Sequence, residues 1–136
     1  MSKSNVTERN EEKEIGSLLQ LFVWRLPKKN HDAMVQFGKQ INDLFRKHGT
    51  QPPKVFQLNN TKTSGNMGFT NIANTVSANQ DEEVWVDLHS YIDHKQLDDV
   101  SAKMEKDESA GQLYKKFTDL ITPESCIEGQ FSRIGV

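Results

Sequence analysis

The chain has 136 residues, 35% of them hydrophobic, with one cysteine and a formal net charge of −2 at pH 7. This length fits one domain, and a single cysteine excludes an internal disulfide framework and favours a reducing compartment, the cytoplasm. No apolar run is long enough to cross a membrane, and the small net charge gives no general reason to expect nucleic acid or a membrane as partner.

The composition changes near the start of the chain. Residues 1–16 are predicted to form a disordered charged tail and residues 17–136 a single domain. The first 14 residues include only two hydrophobic side chains, Met1 and Val6. Because they lack an apolar segment, we expect no signal peptide.

The first predicted elements of the domain are a strand and a helix. The stretch Leu18–Leu26 is apolar on both alternating faces, which is typical of a strand in the centre of a sheet. Asn30 is expected to cap a helix in which apolar residues recur every three or four positions between Met34 and Phe45. Gly49 is predicted to follow the end of this helix.

Two strands and a long loop are predicted in the middle of the chain. A short strand is expected at Lys54–Leu58, and the Asn-, Thr- and Ser-rich residues 59–81 are expected to form the loop. The stretch Glu83–Tyr91 has the clearest strand pattern. Its alternation places Val84, Val86 and Leu88 on one face and Trp85, Asp87, His89 and Tyr91 on the other.

The last predicted elements are helical and then extended. Asp93 and Gln96 have nearly the spacing of a capping box at the start of a helix. The apolar pattern resumes after Asp107, either as a bent continuation of that helix or as a separate short helix. A final strand is predicted at Cys126–Ile134.

The resulting order, β-α-β-β-α-(α)-β, predicts an α+β, ferredoxin-like βαββαβ fold. Such a fold has a four-stranded antiparallel sheet with helices on one face, so the other face needs a cover. The strand Leu18–Leu26 is apolar on both faces. We therefore expect a homodimer whose two sheets close into a barrel.

The sequence also resembles a known family in three places, over about residues 19–134. They are Leu26–Asn30 with Leu44–Gly49, Phe69–Ala73 with Glu82–Val86, and Lys103-Met104 and Asp107 with Ile127–Phe131. These stretches are similar to the YbaA-like family of small bacterial proteins, in the dimeric α/β-barrel superfamily. The resemblance implies the fold and the dimer but no reaction, because the family has no established activity.

One face of the strand Glu83–Tyr91 carries the main candidate site. Asp87 lies two residues from His89 and is therefore placed to orient the imidazole as a general acid/base. We expect Trp85, Tyr91 and, from the first strand, Trp24 to form the ligand-binding walls. Aromatic walls would make the site drier and shift the pKa values of both groups.

Glu128, on the last strand, is a further ligand-binding candidate. It would join the site if that strand neighbours the first. The alternative interpretation is that the face with Asp87 is only solvated, or that it packs on the dimer partner.

Other chemistries find little support in the sequence. The four histidines lack the spacing of zinc sites. The best local set of candidate metal ligands is Asp87, His89 and Glu128, which is a weak signal. No metal or cofactor is therefore expected. No nucleophile motif occurs, and Cys126 is predicted to be a small core residue.

A basic segment of the chain suggests RNA binding, but the central strand argues against it. Residues 25–62 contain eight Lys or Arg against two acids. RNA-binding domains of this shape display aromatic, basic and Gly residues on central strands, where this chain has Asp87. Nucleic acid is therefore not favoured, and a solvated helix face or complementary charge between protomers explains the basic segment.

The sequence thus predicts a small organic ligand bound between sheet and helices under the 59–81 loop. Acid/base or cofactor-free oxygenase-type chemistry is expected there. The alternative is a non-catalytic homodimeric interaction or stress-related protein. An enclosed pocket with convergent polar groups would distinguish the two hypotheses.

Overall fold

A computed structural model describes residues 16–63 and 65–135. In chain order these residues form β1 (Leu18–Pro27), a 3-10 turn (Lys28–Asn30), α1 (His31–Lys47), β2 (Lys54–Gln57), α2 (Ile72–Thr75), β3 (Glu82–Tyr91), α3 (His94–Glu105), α4 (Glu108–Leu120) and β4 (Ile127–Ser132). The predicted charged tail, apart from Gly16, lies outside the described residues.

The four strands form one antiparallel sheet in the order β2-β3-β1-β4. This order, with helices packed against the sheet, confirms the predicted ferredoxin-like α+β fold. The strand predicted to be central, β1, lies between β3 and β4. Its continuous apolar sequence fits a strand with neighbours on both edges, and it has buried residues on both faces, such as Trp24 on one and Val23 on the other.

Cross-strand register decides which side chains face the helices. Trp24 lies opposite Trp85, and Phe22 lies opposite Asp87 on β3 and Glu128 on β4. Because side chains alternate along a strand, these residues share one face. This is the predicted Trp85/Asp87/His89/Tyr91 face, and it points towards the helix layer.

Two apolar clusters hold the helices on that face. The first joins the sheet to α1 and the end of α4, and consists of Trp24, Leu26, Met34, Phe37, Trp85 and Ile121. The second joins the sheet to α1 and α3, and consists of Leu18, Phe45, Tyr91, Leu97 and Val100. The helix α4 packs through partly buried residues such as Phe117, and none of its described residues is fully buried.

The ends of α1 differ in part from the prediction. Asn30 occupies the predicted cap position but makes no side-chain capping bond. Its Nδ2 instead donates to the backbone oxygen of Leu120, 2.8 Å away, which ties the start of α1 to the end of α4. Gly49 follows α1 with a φ of 73°, a left-handed conformation that favours glycine, as predicted.

The helices α3 and α4 are separate, because each begins at its own aspartate. Asp93 accepts a hydrogen bond from the backbone N–H of Gln96, as the capping-box spacing predicts. Asp107 accepts from the backbone N–H of Ser109. Asp107 also accepts from Lys47 at 2.9 Å and from His48 at 2.8 Å, so it joins the start of α4 to the end of α1.

The connection between β2 and β3 is mostly irregular in its described residues, 58–63 and 65–81, with the four-residue α2 inside it. Asn71 is buried, and its side chain accepts from the backbone N–H of Ala73. Its Nδ2 lies 3.3 Å from Oδ1 of Asn60 and from the backbone oxygen of Lys62. One buried amide therefore ties the middle of this connection to its first residues.

The opposite face of the sheet is mostly apolar, although Arg25 and Lys54 also lie on it. The register places on it Leu19, Leu21, Val23, Phe56, Val84, Val86, Leu88, Ile127 and Phe131; we call this set the open face. The helices α1, α3 and α4 all pack on the other side. Phe56, Ile127 and Phe131 are each 53% exposed, whereas Val23 and Val84 in the middle of this face are buried.

Among the described residues, no helix has the length and apolar content that crossing a membrane requires.

The Asp107 contacts predict a pH-dependent contribution to stability. Hydrogen bonds from Ser109, Lys47 and His48 hold the pKa of the Asp107 carboxyl well below its ordinary value. A lowered folded-state pKa stabilises the fold above the unfolded pKa, and this stabilisation is lost as the pH falls through the folded pKa.

We therefore expect Asp107→Asn to lower the melting temperature by a few degrees at pH 7, and by less as the pH falls below about 4. Asp93→Asn is the matched control, since asparagine also caps helices and none of the described ion pairs involves Asp93. Equal melting temperatures for the two variants at pH 7 would contradict the role of Asp107.

Candidate functional site

A cavity of about 510 Å³ lies between the sheet and the helices, and we call it the central cavity. The sheet contributes Phe22, Trp24, Asp87, His89 and Glu128 to its wall. The helix layer contributes mostly apolar side chains, namely Phe37, Ile41, Leu44, Phe45, Met104, Ala110, Tyr114, Phe117, Thr118 and Ile121. Few polar groups in a mostly apolar wall are typical of small-molecule sites.

The structure brings together four of the six predicted site residues. Trp24, Asp87, His89 and Glu128 line the central cavity. They meet because β3, β1 and β4 are neighbours and present these side chains to the same face.

Asp87 and His89 form a pair on the floor of the central cavity. The Nε2 atom of His89 lies 2.8 Å from Oδ2 of Asp87, and the side chains are 11% and 15% exposed. Since a carboxylate only accepts, Nε2 is the donor, and Nδ1 of the neutral ring holds the lone pair. The rings of Phe22 and Phe45 lie 5.2 and 5.1 Å from the imidazole, centroid to centroid. The pair thus has the orientation that an acid/base histidine needs.

Two buried atoms of this site have no hydrogen-bond partner among the described residues. They are Nε1 of Trp24, a donor, and Oδ1 of Asp87, an acceptor. Trp24 is only 2% exposed. Leaving such groups unpaired costs about 1–3 kcal/mol each, so native proteins seldom keep them without a reason.

Trp85 lies beside the central cavity, and its N–H is already bonded. Its ring is 6.3 Å from that of Trp24, and Nε1 donates to Oε1 of Glu83 at 2.9 Å. His31 Nδ1 lies 2.8 Å from the same Glu83 oxygen, and this hydrogen bond raises the pKa of His31. Trp85 therefore acts as a fixed wall whose polar atom is not available to a ligand.

A second cavity, of about 420 Å³, lies between α1 and β2, and we call it the edge cavity. It shares Trp24, Phe37, Ile41 and Asp87 with the central cavity, so the two spaces adjoin at these residues. Among the described residues, the walls of both come from the helices, the strands and the turns next to them. The expected cover by the 59–81 loop is therefore not found.

Tyr91 is separated from the other predicted site residues. It is 4% exposed and packs in the second apolar cluster with Leu18 and Leu97. Burial, and then the charge of Asp87, raise the pKa of Tyr91 to about 12. Its place in the fold is that of a core residue.

Cys126 differs from the prediction of a small core residue, because it is exposed and lines the central cavity. It follows the turn that enters β4, where the chain reaches the rim of the sheet. Partial burial of the thiol, and then the carboxylates of Glu128 and Asp87, raise its pKa. A raised pKa disfavours the thiolate and so argues against a nucleophilic role.

Within residues 16–63 and 65–135, no three His, Cys, Asp or Glu side chains are grouped so that they could hold a metal ion.

Sequence reasoning did not identify the aromatic residues that complete the wall. Phe22 shares its face of β1 with Trp24, so the alternation alone could have found it. Phe45 and Phe117 come from two different helices. Their meeting depends on helix packing, for which a single sequence gives no direct signal.

Comparison with known proteins gives a family but no activity. The profile of DUF1428, described as a protein of unknown function, matches residues 17–118. No curated protein matches the chain.

The burial of Tyr91 predicts its titration. The variant Tyr114→Phe leaves Tyr91 as the single tyrosine, because the chain has two. We expect its phenol to ionise at about pH 12 in the folded protein, followed by ultraviolet absorbance, since burial disfavours the phenolate. A pKa raised above the unfolded value adds stability that is lost as the pH rises through it.

The control is Tyr91→Phe, which should remove this late transition. A transition near pH 10 in folded Tyr114→Phe would contradict the burial of Tyr91.

Proposed function

The chain belongs to the DUF1428 family, and we propose that it binds a small organic ligand in the central cavity, where the Asp87–His89 pair exchanges a proton with that ligand. The observation that carries this proposal is the paired imidazole and carboxylate on the floor of a mostly apolar cavity of about 510 Å³. A ligand fills such a space better than water does, because most of the wall offers no hydrogen bonds.

The chemistry of the pair is general acid/base catalysis. Asp87 holds Nε2 of His89, which leaves Nδ1 as the proton acceptor in the neutral ring. Cofactor-free oxygenase-type chemistry would begin with the same removal of a proton from the ligand. The cytoplasm, as a reducing compartment, suits a chain with one exposed free cysteine.

Filling the cavity tests the binding of a ligand. Ala110 on α4 lines the central cavity, so Ala110→Phe should fill part of it. Its matched control is Gly111→Ala on the same helix, because a Cβ there would meet nothing within 4 Å. The probe is 2-naphthol, with binding followed by the amide and indole N–H resonances.

We expect the unaltered protein and Gly111→Ala to bind 2-naphthol, and Ala110→Phe to bind it at least tenfold more weakly. His89→Ala, which removes the proton acceptor but leaves most of the wall, should keep naphthalene binding within about threefold. Equal binding by Ala110→Phe and Gly111→Ala would remove the cavity from consideration and favour the non-catalytic interaction protein.

The open face supports a homodimer as the functional assembly. It carries apolar side chains on all four strands, and the described helices of eight or more residues lie on the other side of the sheet. A second copy offers the same apolar face, and the basic 25–62 segment complements the acidic remainder of a partner.

Charges on the open face test the dimer. Phe56 and Phe131 lie on opposite edge strands and are half-exposed, so lysine there should leave the single chain folded. We expect Phe56→Lys and Phe131→Lys to change the mass in solution from two chains to one, measured by light scattering. The control Val35→Lys, on α1, should stay dimeric. A single-chain mass for the unaltered protein would overturn the dimer.

A further inference from the structure

The two unpartnered atoms of the central cavity have opposite hydrogen-bonding character. Nε1 of Trp24 can only donate, and Oδ1 of Asp87, as a carboxylate oxygen, can only accept. The other oxygen of Asp87 is held by His89. These two atoms are therefore buried hydrogen-bonding groups of the wall that the described residues leave unpaired, and this inference rests on the proposed function above.

Trp24 and Asp87 are neighbours on the helix-facing side of the sheet. Phe22 is opposite Asp87 and Trp24 is opposite Trp85, so Trp24 and Asp87 are diagonal neighbours across β1 and β3. Diagonal Cβ atoms are roughly 7–8 Å apart or less, which lies within reach of long side chains. Both residues line the central cavity and the edge cavity.

The group between them must accept from Trp24 and donate to Asp87 at the same time. A hydroxyl does both. An ether lacks the donor, an ammonium lacks the acceptor, and a second carboxylate would be repelled by Asp87 at close range. A neutral hydroxyl therefore matches the two atoms.

The rest of the ligand is defined by the rings around these atoms. Phe117 lies 5.0 Å from Trp24 with its ring nearly perpendicular, at 84°, and Phe37 lies 5.6 Å from Phe117. Aromatic side chains favour stacked or edge-on contacts with a further ring. We propose that the ligand class is an aromatic compound with a neutral hydroxyl, whose oxygen accepts from Trp24 Nε1 and whose hydrogen is donated to Asp87 Oδ1.

Three probes of one shape separate the hydroxyl from the ring. Naphthalene has neither hydrogen-bonding function, 2-methoxynaphthalene accepts without donating, and 2-naphthol does both. At pH 7, we expect 2-naphthol to bind at least tenfold more tightly than 2-methoxynaphthalene, because the ether leaves Asp87 unpaired. Naphthalene should bind most weakly.

The indole N–H resonances give a readout that depends on the proposed contact. The chain has two tryptophans, and Trp85→Phe assigns their signals. We expect 2-naphthol to move the Trp24 N–H signal downfield, as a new hydrogen bond does. The Trp85 signal should move less, because its N–H already donates to Glu83.

One variant tests the acceptor. Asp87→Leu removes both carboxylate oxygens and should reduce 2-naphthol binding to the level of 2-methoxynaphthalene, with naphthalene within about threefold of the unaltered protein. Because the comparison of the three probes needs only the unaltered protein, the proposal stays testable if this variant does not fold.

The outcomes separate the inference from the proposed function. If 2-naphthol and 2-methoxynaphthalene bind equally and the Trp24 signal stays in place, water partners the two atoms and the inference is wrong, although the cavity still binds ligands. If none of the three probes binds to the unaltered protein, the proposed function fails as well.

Discussion

The antiparallel pairing of β1 with β3 determines where Trp24, Asp87 and His89 lie. It places Trp24 opposite Trp85 and Phe22 opposite Asp87. A shift of one residue would turn each of these side chains to the other face of the sheet. The apolar core on the helix side prevents such a shift, since Trp24 and Leu26 would then leave it. The register that stabilises the fold is therefore the same register that assembles the cavity.

Two aspartates illustrate how differently this fold treats a carboxylate. Asp107 accepts from a backbone N–H, a lysine and a histidine at the junction of α1 and α4. Asp87 has one oxygen held by His89 and the other without a protein partner. The first arrangement satisfies the charge and contributes to stability. The second leaves an acceptor buried in an apolar wall, which is the kind of local conflict that functional sites retain.

Much of this architecture could be predicted from the sequence because it depends on alternation and spacing. Asp87 and His89 had to share a face because they are two residues apart in a strand. Glu128 needed the pairing of β4 with β1, which the ferredoxin-like order implies. Tyr91 shares the same face, yet it packs under α3, because neighbouring helices cover different lengths of the strand. Alternation predicts which face of a strand a residue lies on, but not which helix covers that position. For the same reason the sequence did not predict that Cys126 is exposed or that Phe45 and Phe117 line the central cavity.

The weak burial of α4 has a consequence for how molecules enter and leave. This helix supplies Ala110, Tyr114 and Phe117 to the wall of the central cavity, although none of its described residues is fully buried. Segments with few buried apolar contacts open at a lower free energy than the rest of a domain. The helix α1, by contrast, buries Met34, Phe37, Leu44 and Phe45. In the helix layer α1 is thus firmly anchored and α4 is weakly anchored. A ligand of the central cavity would enter and leave on the side of α4.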